Sequence, residues 1–158
     1  MFFTPKSRAQ AMAEKANLKA GGRVLEPSAG HGALINAALA IAPDSDIVAV
    51  ELNTGNAKVL KSKEGIQLHN ADFLTLTPSD LGLFDSILIN PPFTKNQDIK
   101  HILHAAKFMA PNSTLVAIAS TSWLTGSQKI QEGFRLWLGV VGATIEELPV
   151  GEIWSRWP

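Results

Sequence analysis

Five short, mostly apolar runs, each stopping at a polar or turn residue and most of them followed by a stretch of helical spacing, constrain this chain more than any other feature. Arg23–Glu26, Ile47–Glu51, Ile66–His69, Phe84–Ile89 and Thr114–Ala119 have strand length and the character of parallel strands covered on both faces. Between them lie helical segments. Thr4 reads as the N-cap of a first helix with Pro5 at its first position, Ala9, Met12, Ala13 and Ala16 then recur at helical spacing up to Gly21-Gly22, and Ala33–Ala42 is strongly apolar up to Pro43. Asn53 or Thr54 caps a helix to about Lys63, Ile99, Ile102, Leu103, Ala106 and Met109 mark another, and Gln128–Leu138 a last one before the strand Ala143–Leu148. Such alternation predicts an α/β fold with an open, doubly wound, mostly parallel sheet, whose ligands sit outside the carboxyl ends of the strands. On that rule Glu26–Gly32, Glu51, Asp72 and Asn90–Phe93 converge on one rim, dispersed as they are in the sequence.

Composition sets outer bounds. A length of 158 residues with 46% hydrophobic content matches a single domain, 1–158, with a real core. Cysteine is absent, so disulfides, thiolate metal sites and a nucleophilic thiol are excluded. Fourteen basic residues balance fourteen acidic ones, so any contact with a polyanion must come from a local patch. The start, MFFTPKSRAQ, lacks the pattern of a secretory signal and no apolar window is long enough for a membrane span, which leads to the expectation of a soluble cytoplasmic protein with no membrane partner.

The residues at the predicted rim have definite chemical abilities. In Glu26-Pro27-Ser28-Ala29-Gly30-His31-Gly32 two glycines let backbone approach a ligand ahead of a helix N-terminus, although Ile35 stands where a dinucleotide fingerprint has its third glycine. Glu51, followed by Leu52, lies about 20 residues beyond the turn, where a carboxylate accepts from both hydroxyls of a ribose; a solvated strand-end acid is the alternative. Asp72 either accepts from an exocyclic amine beside the apolar face of Phe73 or caps a turn. Together these describe an adenosine site. In Asn90-Pro91-Pro92-Phe93 the asparagine side-chain carbonyl and the Pro91 main-chain carbonyl can accept both hydrogens of one planar NH₂ group, with Phe93 as a stacking face. Drawing those hydrogens out of the plane frees the nitrogen lone pair for attack on an electrophile.

With these residues in order, Phe2-Phe3-Thr4-Pro5 first, then Glu26–Gly32, then Asn90–Phe93, the chain resembles the class I S-adenosylmethionine-dependent methyltransferases that act on amines, in particular the adenine-N6 DNA methyltransferases. The resemblance spans residues 2 to about 148. It implies a Rossmann-like methyltransferase sheet, S-adenosyl-L-methionine as cofactor and DNA as partner. It also implies that Thr4 and Pro5 border the methionine end of the cofactor, that the motif Glu26, Pro27, Ser28, Ala29, Gly30 and Gly32 forms its floor, and that Glu51 with Leu52 holds the ribose. Asp72 and Phe73 hold the adenine, while Asn90, Pro91 and Pro92 grip the target amine and Phe93 stacks on a base flipped out of its helix. No metal is then required.

Weaker features have plainer readings. His31 sits in a turn that tolerates many residue types. His101 and His104 have no third metal ligand at suitable spacing and read as a solvated, mildly basic helix face, and Lys95, Lys100, His101 and Lys107 read equally well as a phosphate-facing patch. Trp123 is expected near a substrate cleft and Trp137 in the core.

The chain departs from the resembled family in two ways. No separate target-recognition domain is expected within it, and Gly151–Pro158 reads as too short and turn-like to be the last antiparallel strand. A homodimer, or a second subunit completing the sheet and the target reading, is the corresponding expectation. Competing with adenine-N6 methylation are guanine-N2 methylation of RNA, glutamine-N5 methylation of protein, and a non-catalytic subunit that only binds S-adenosylmethionine.

Overall fold

The computed structural model describes residues 4–148 in full and 152–157 as backbone. Phe2 and Phe3 of the N-terminal motif, and the side chains of Trp154 and Trp157, lie outside the described residues.

In chain order the elements are α1 (Lys6–Lys15), β1 (Arg23–Glu26), α2 (Ala33–Ile41), β2 (Asp46–Val50), α3 (Thr54–Lys61), β3 (Ile66–His69), α4 (Pro78–Leu81), β4 (Phe84–Ile89), α5 (Gln97–Ala106), β5 (Met109–Ser120), α6 (Lys129–Val140), β6 (Thr144–Glu147) and β7 (Glu152–Trp157). Among the described residues the strands form one seven-stranded sheet in the order β3-β2-β1-β4-β5-β7-β6. The first five in that order run parallel, and β7 runs antiparallel to both β5 and β6. The doubly wound, mostly parallel sheet is therefore as the alternation predicts.

The last antiparallel strand is present, against the expectation from Gly151–Pro158. Residues 152–157 pair along β5 from Ser120↔Glu152 to Leu115↔Trp157. A long buried strand offers a row of unpaired backbone groups at its edge, and satisfying them outweighs a locally turn-like composition. Ile153, Trp154 and Trp157 are residue types that favour strands, and they were the available signal.

Alternation along each strand divides the core into two layers. Leu25, Val48, Val50, Ile87, Ile89, Leu115, Ala117 and Ala119 face α5 and α6, where Ile99, Ile102, Phe108, Trp123, Phe134 and Leu138 complete one cluster. Val24, Ile47, Ala49, Leu88, Val116 and Ile118 face the other way, against Ala9, Met12 and Ala16 of α1, Leu34, Ile35 and Ala38 of α2 and Leu60 of α3. Trp123, Phe84, Phe108 and Phe134 are fully buried, each contributing about 2–3 kcal/mol in transfer energy. Trp123 is thus core rather than cleft.

The rim at the strand N-termini is closed by Arg23. Its Nε donates to Asp46 at 3.1 Å, its guanidinium donates to the carbonyls of Leu81 and Leu83, and it lies 4.4 Å over the Phe84 ring. Strand order reverses between β1 and β4, so the crevice that such a sheet reserves for ligands opens at their carboxyl ends, between Glu26 and Asn90. No helix among the described residues is long and apolar enough to cross a membrane.

Candidate active site

The glycine turn connects β1 to α2 in a conformation that ordinary residues resist: Gly30 has φ +57° and Gly32 φ +92°. A Cβ on Gly32 would also stand 3.1 Å from Leu60 Cδ2 and closer still to the Lys63 stem. The turn is fastened to β2 by the Ala29 N–H donating to the Val50 carbonyl at 3.0 Å.

Glu51, just beyond β2 and only 8% exposed, organises the next loop. One carboxylate oxygen accepts from the Gly30 N–H and the other from the Asn53 N–H, both at 2.7 Å. Each oxygen keeps lone-pair capacity for another donor. Asn70, at the end of β3, donates from Nδ2 to the carbonyls of Glu51 and Leu52 at 2.8 and 3.1 Å and so fixes the main chain on which Glu51 stands. Asn53 caps α3, accepting from Asn56 N–H at 3.0 Å.

Glu26 is 2% exposed, with one oxygen accepting from the Ser28 N–H at 2.9 Å. Burial pushes its carboxyl up to about 8; the Ser28 N–H works against this rise and the charge of Glu51 adds to it. The Ser28 hydroxyl is buried with no hydrogen-bond partner.

Asn90 ends β4. Its Nδ2 donates to the Thr4 hydroxyl at 2.9 Å, and its Oδ1 is buried without a partner. Thr4, expected from sequence to cap the first helix, makes no side-chain cap there; Pro5 is the N-cap residue and the hydroxyl serves Asn90 instead. An amide anchored by its nitrogen and unsatisfied at its oxygen is a poised acceptor, because an unmade buried hydrogen bond costs about 1–3 kcal/mol.

These groups surround a cavity of about 620 Å³, within the usual range for ligand pockets. Of the sequence-predicted residues, Pro27, Ser28, Gly30, Glu51, Leu52, Phe73, Asn90, Pro91 and Pro92 line it. Thr4, Pro5, Glu26, Ala29 and Gly32 do not line it, and Thr4 reaches it through Asn90. Asp72 is exposed and away from the lining; its carboxylate caps a 3-10 turn by accepting from Leu74 N–H at 3.0 Å. Phe73 is 2% exposed, its ring packed edge-on to His104 at 4.9 Å and beside Phe108. Phe93 is half-buried against the second core cluster and away from the lining.

The lining also includes Asn53, Thr54 and Ala71, which the sequence marked only as a helix cap or loop. His101 and His104 leave the basic helix face to pack around Phe73, and His104 Nε2 donates to the Leu76 carbonyl at 2.7 Å. Burial lowers the His101 pKa, favouring the neutral ring.

Residues 7–137 match the model of the methyltransferase small domain, most of the chain. The chain belongs to this family. The methyltransferase is 33% identical over 104 residues, 64% of its length and 26% of the relative's, to the type II methyltransferase M.CvrRI of Paramecium bursaria Chlorella virus XZ-6E. Its fold superposes with TM-score 0.80 and 19% identity on a type I restriction-modification methyltransferase subunit from Streptococcus thermophilus, covering 99% of this chain and 44% of that one. An RNA methyltransferase from Salinibacter ruber, solved with S-adenosyl-L-homocysteine, gives TM-score 0.67 and 15% identity over 99% of this chain and 92% of that one. The chain thus spans about a quarter of M.CvrRI and less than half of the Streptococcus subunit. S-Adenosylmethionine is the cofactor. The cavity fits it chemically: an apolar wall of Leu52, Phe73 and Pro91, and in Glu51 a carboxylate with lone pairs to give.

Proposed function

We propose that this methyltransferase transfers a methyl group to an exocyclic amine, and that the amine is adenine N6 in DNA. The observation that carries this reading is the state of Asn90: Nδ2 held by Thr4, Oδ1 buried, unpartnered and at the cavity wall. An acceptor so held fits an incoming N–H, and in this reading the main-chain carbonyl of Pro91, which also lines the cavity, accepts the second hydrogen. With both hydrogens accepted, the amine nitrogen is turned from a conjugated, planar donor into a nucleophile.

When bound, the cofactor supplies a methyl group activated on a sulfonium centre. Glu51 holds the two ribose hydroxyls with the lone pairs left over from Gly30 and Asn53. Glu26 supplies the charge complement to the methionine end, whose ammonium and sulfonium favour the ionised carboxylate that burial alone disfavours. Phe73, Leu52 and Ala71 form the apolar wall for the adenine ring. Phe93 stacks on the target base from outside this lining. The choice of DNA is supported by the likeness to M.CvrRI and to the Streptococcus restriction-modification subunit. A longer assembly or second subunit supplies target reading.

The test is transfer of a labelled methyl group from S-adenosylmethionine to adenine-containing DNA, with RNA and protein extracts as parallel acceptors. Label in N6-methyladenine, lost in Asn90→Ala, supports the reading. Label only in RNA guanine or protein glutamine moves the substrate to those classes, and cofactor binding with no transfer to any acceptor makes the protein a binding subunit.

A further inference from the structure

Immediately after Phe93 the backbone takes two consecutive left-handed residues, Lys95 (φ +55°) and Asn96 (φ +58°), neither of them glycine. Such residues are held only where their surroundings determine them. Here the surroundings are the start of α6. Asn96 Nδ2 donates to the Gln128 Oε1, and Asn96 Oδ1 accepts from Gln131 Nε2 at 3.2 Å. Gln131 Oε1 in turn accepts from the Gln128 N–H at 3.2 Å, closing the cap of α6. On the other side Asp98, 1% exposed, accepts from both the backbone N–H and the hydroxyl of Ser120 at 2.9 Å. The turn that follows the amine grip is therefore tied to two further elements.

This clamp brings lysines from distant parts of the sequence to one place. Lys95 adjoins Asn96, Lys129 adjoins Gln128, and Lys100 is in the opening turn of α5; all three are exposed and none joins an ion pair or hydrogen bond among the described residues. Of the acids close by, Asp98 is buried and engaged by Ser120, while Glu132 is exposed one turn along α6. His101 is half-buried against Phe73, and Lys107 caps the far end of α5, about 10 Å from Lys100 along the helix axis, so neither belongs to the group. In a chain of zero net charge this cluster, close in sequence to Asn90–Phe93, is a local concentration of positive charge of the kind a polyanion requires.

Resting on the reading of the site as a nucleic-acid methyltransferase, we infer that the Asn96-centred clamp with Lys95, Lys129 and Lys100 is the surface that grips the phosphates next to the target base. The strained turn fixes the backbone at Lys95, shortly after the cavity-lining Pro91 and Pro92, so phosphate contact there sets where the flipped base enters. Removing a phosphate contact weakens binding alike for all sequences and lowers the salt slope by about 1.

The experiment measures binding of a fluorescent adenine-containing oligonucleotide duplex to the wild-type chain across salt concentrations, with S-adenosylhomocysteine present. The variants are K95N with K129Q, where asparagine tolerates the left-handed backbone, and K107Q as a control that removes a lysine charge outside the clamp. The expected result is a slope of log K against log salt lower by about 2 in the double variant, with K107Q like wild type and cofactor affinity unchanged in all. A wild-type slope in the double variant, or an equal change in K107Q, overturns the clamp while leaving the amine-methylating site intact. Absence of any oligonucleotide binding by the wild-type chain, together with methyl transfer to protein, overturns both.

Discussion

Asn90 and Glu26 are the residues at which the chemistry is most exposed to test. Asn90 is fastened on one side and unsatisfied on the other, so truncating it removes an acceptor without disturbing Glu51, Gly30 or Asn53. Asn90→Ala is expected to lower kcat at least a hundredfold while the cofactor dissociation constant changes less than about threefold; calorimetry and single-turnover assays read the two separately, and parallel losses would dissolve the division of roles. Glu26 makes a pH prediction. Its carboxyl titrates at 4.5 in the unfolded chain and at about 8 in the folded one, so between those values only the folded state holds the proton. Stability from this group is present at low pH and falls as pH rises through that window. Glu26→Gln keeps an acceptor for the Ser28 N–H without the charge, so its melting temperature should match wild type near pH 4.5 and exceed it increasingly towards pH 8. A constant difference across pH would show that the carboxyl is not carrying an unfavourable charge. Cofactor affinity should move the opposite way, weakened in Glu26→Gln.

At the scale of elements, the site depends on how strand ends and helix starts are held to each other. Asn70 does this at the β2 and β3 ends with two hydrogen bonds to the Glu51 and Leu52 carbonyls. Asn70→Ala is expected to weaken the cofactor about fivefold and to cost at most about 2 kcal/mol of stability, since its two bonds are each worth about 1 kcal/mol; a titration that matches wild type would mean the Glu51 loop holds itself. Gly126 does the corresponding service for α6. A Cβ there would overlap Gln131 Oε1, and the nearby Arg135 guanidinium, donating to the Gly126 carbonyl at 2.8 Å, keeps the segment from moving aside. Gly126→Ala should therefore destabilise by about 1–3 kcal/mol, and should cost little more once Gln131 is already alanine. Denaturant unfolding of the two single variants and the double variant tests that coupling; simple additivity would remove Gln131 as the cause.

The whole molecule is a sheet with its ligand crevice at the reversal of strand order and a covering layer on each face. Its last pair of strands closes the β5 edge, where 152–157 match 115–120 residue for residue. Shortening the chain at Leu148 strips that edge from a strand whose Leu115–Ala119 core is fully buried. The shortened chain is expected to melt at least 10 °C lower and to aggregate on concentration, because an unpaired inner strand edge recruits other chains. An unshifted melt in a monodisperse sample would mean that β5 is held by its helices alone.

The alternation of apolar runs with helical stretches determined the doubly wound sheet, because strands covered on both faces admit few residue types and the connections between them have few lengths. The Asn90–Phe93 step and the glycine turn were legible for the same reason: each needs particular residues at adjacent positions. What the tertiary structure decided lies in pairings across distance. Asp72 went to a turn cap rather than the cavity wall, since its short side chain reaches the Leu74 N–H two residues on. Residues 152–157 became a strand because β5 offered backbone partners that no local propensity reveals. Thr4 was turned from helix cap to holder of Asn90, and Asn96 to partner of Gln128, by contacts 86 and 32 residues apart in sequence. A one-dimensional pattern records which groups need partners, and only the folded chain settles which partner each finds.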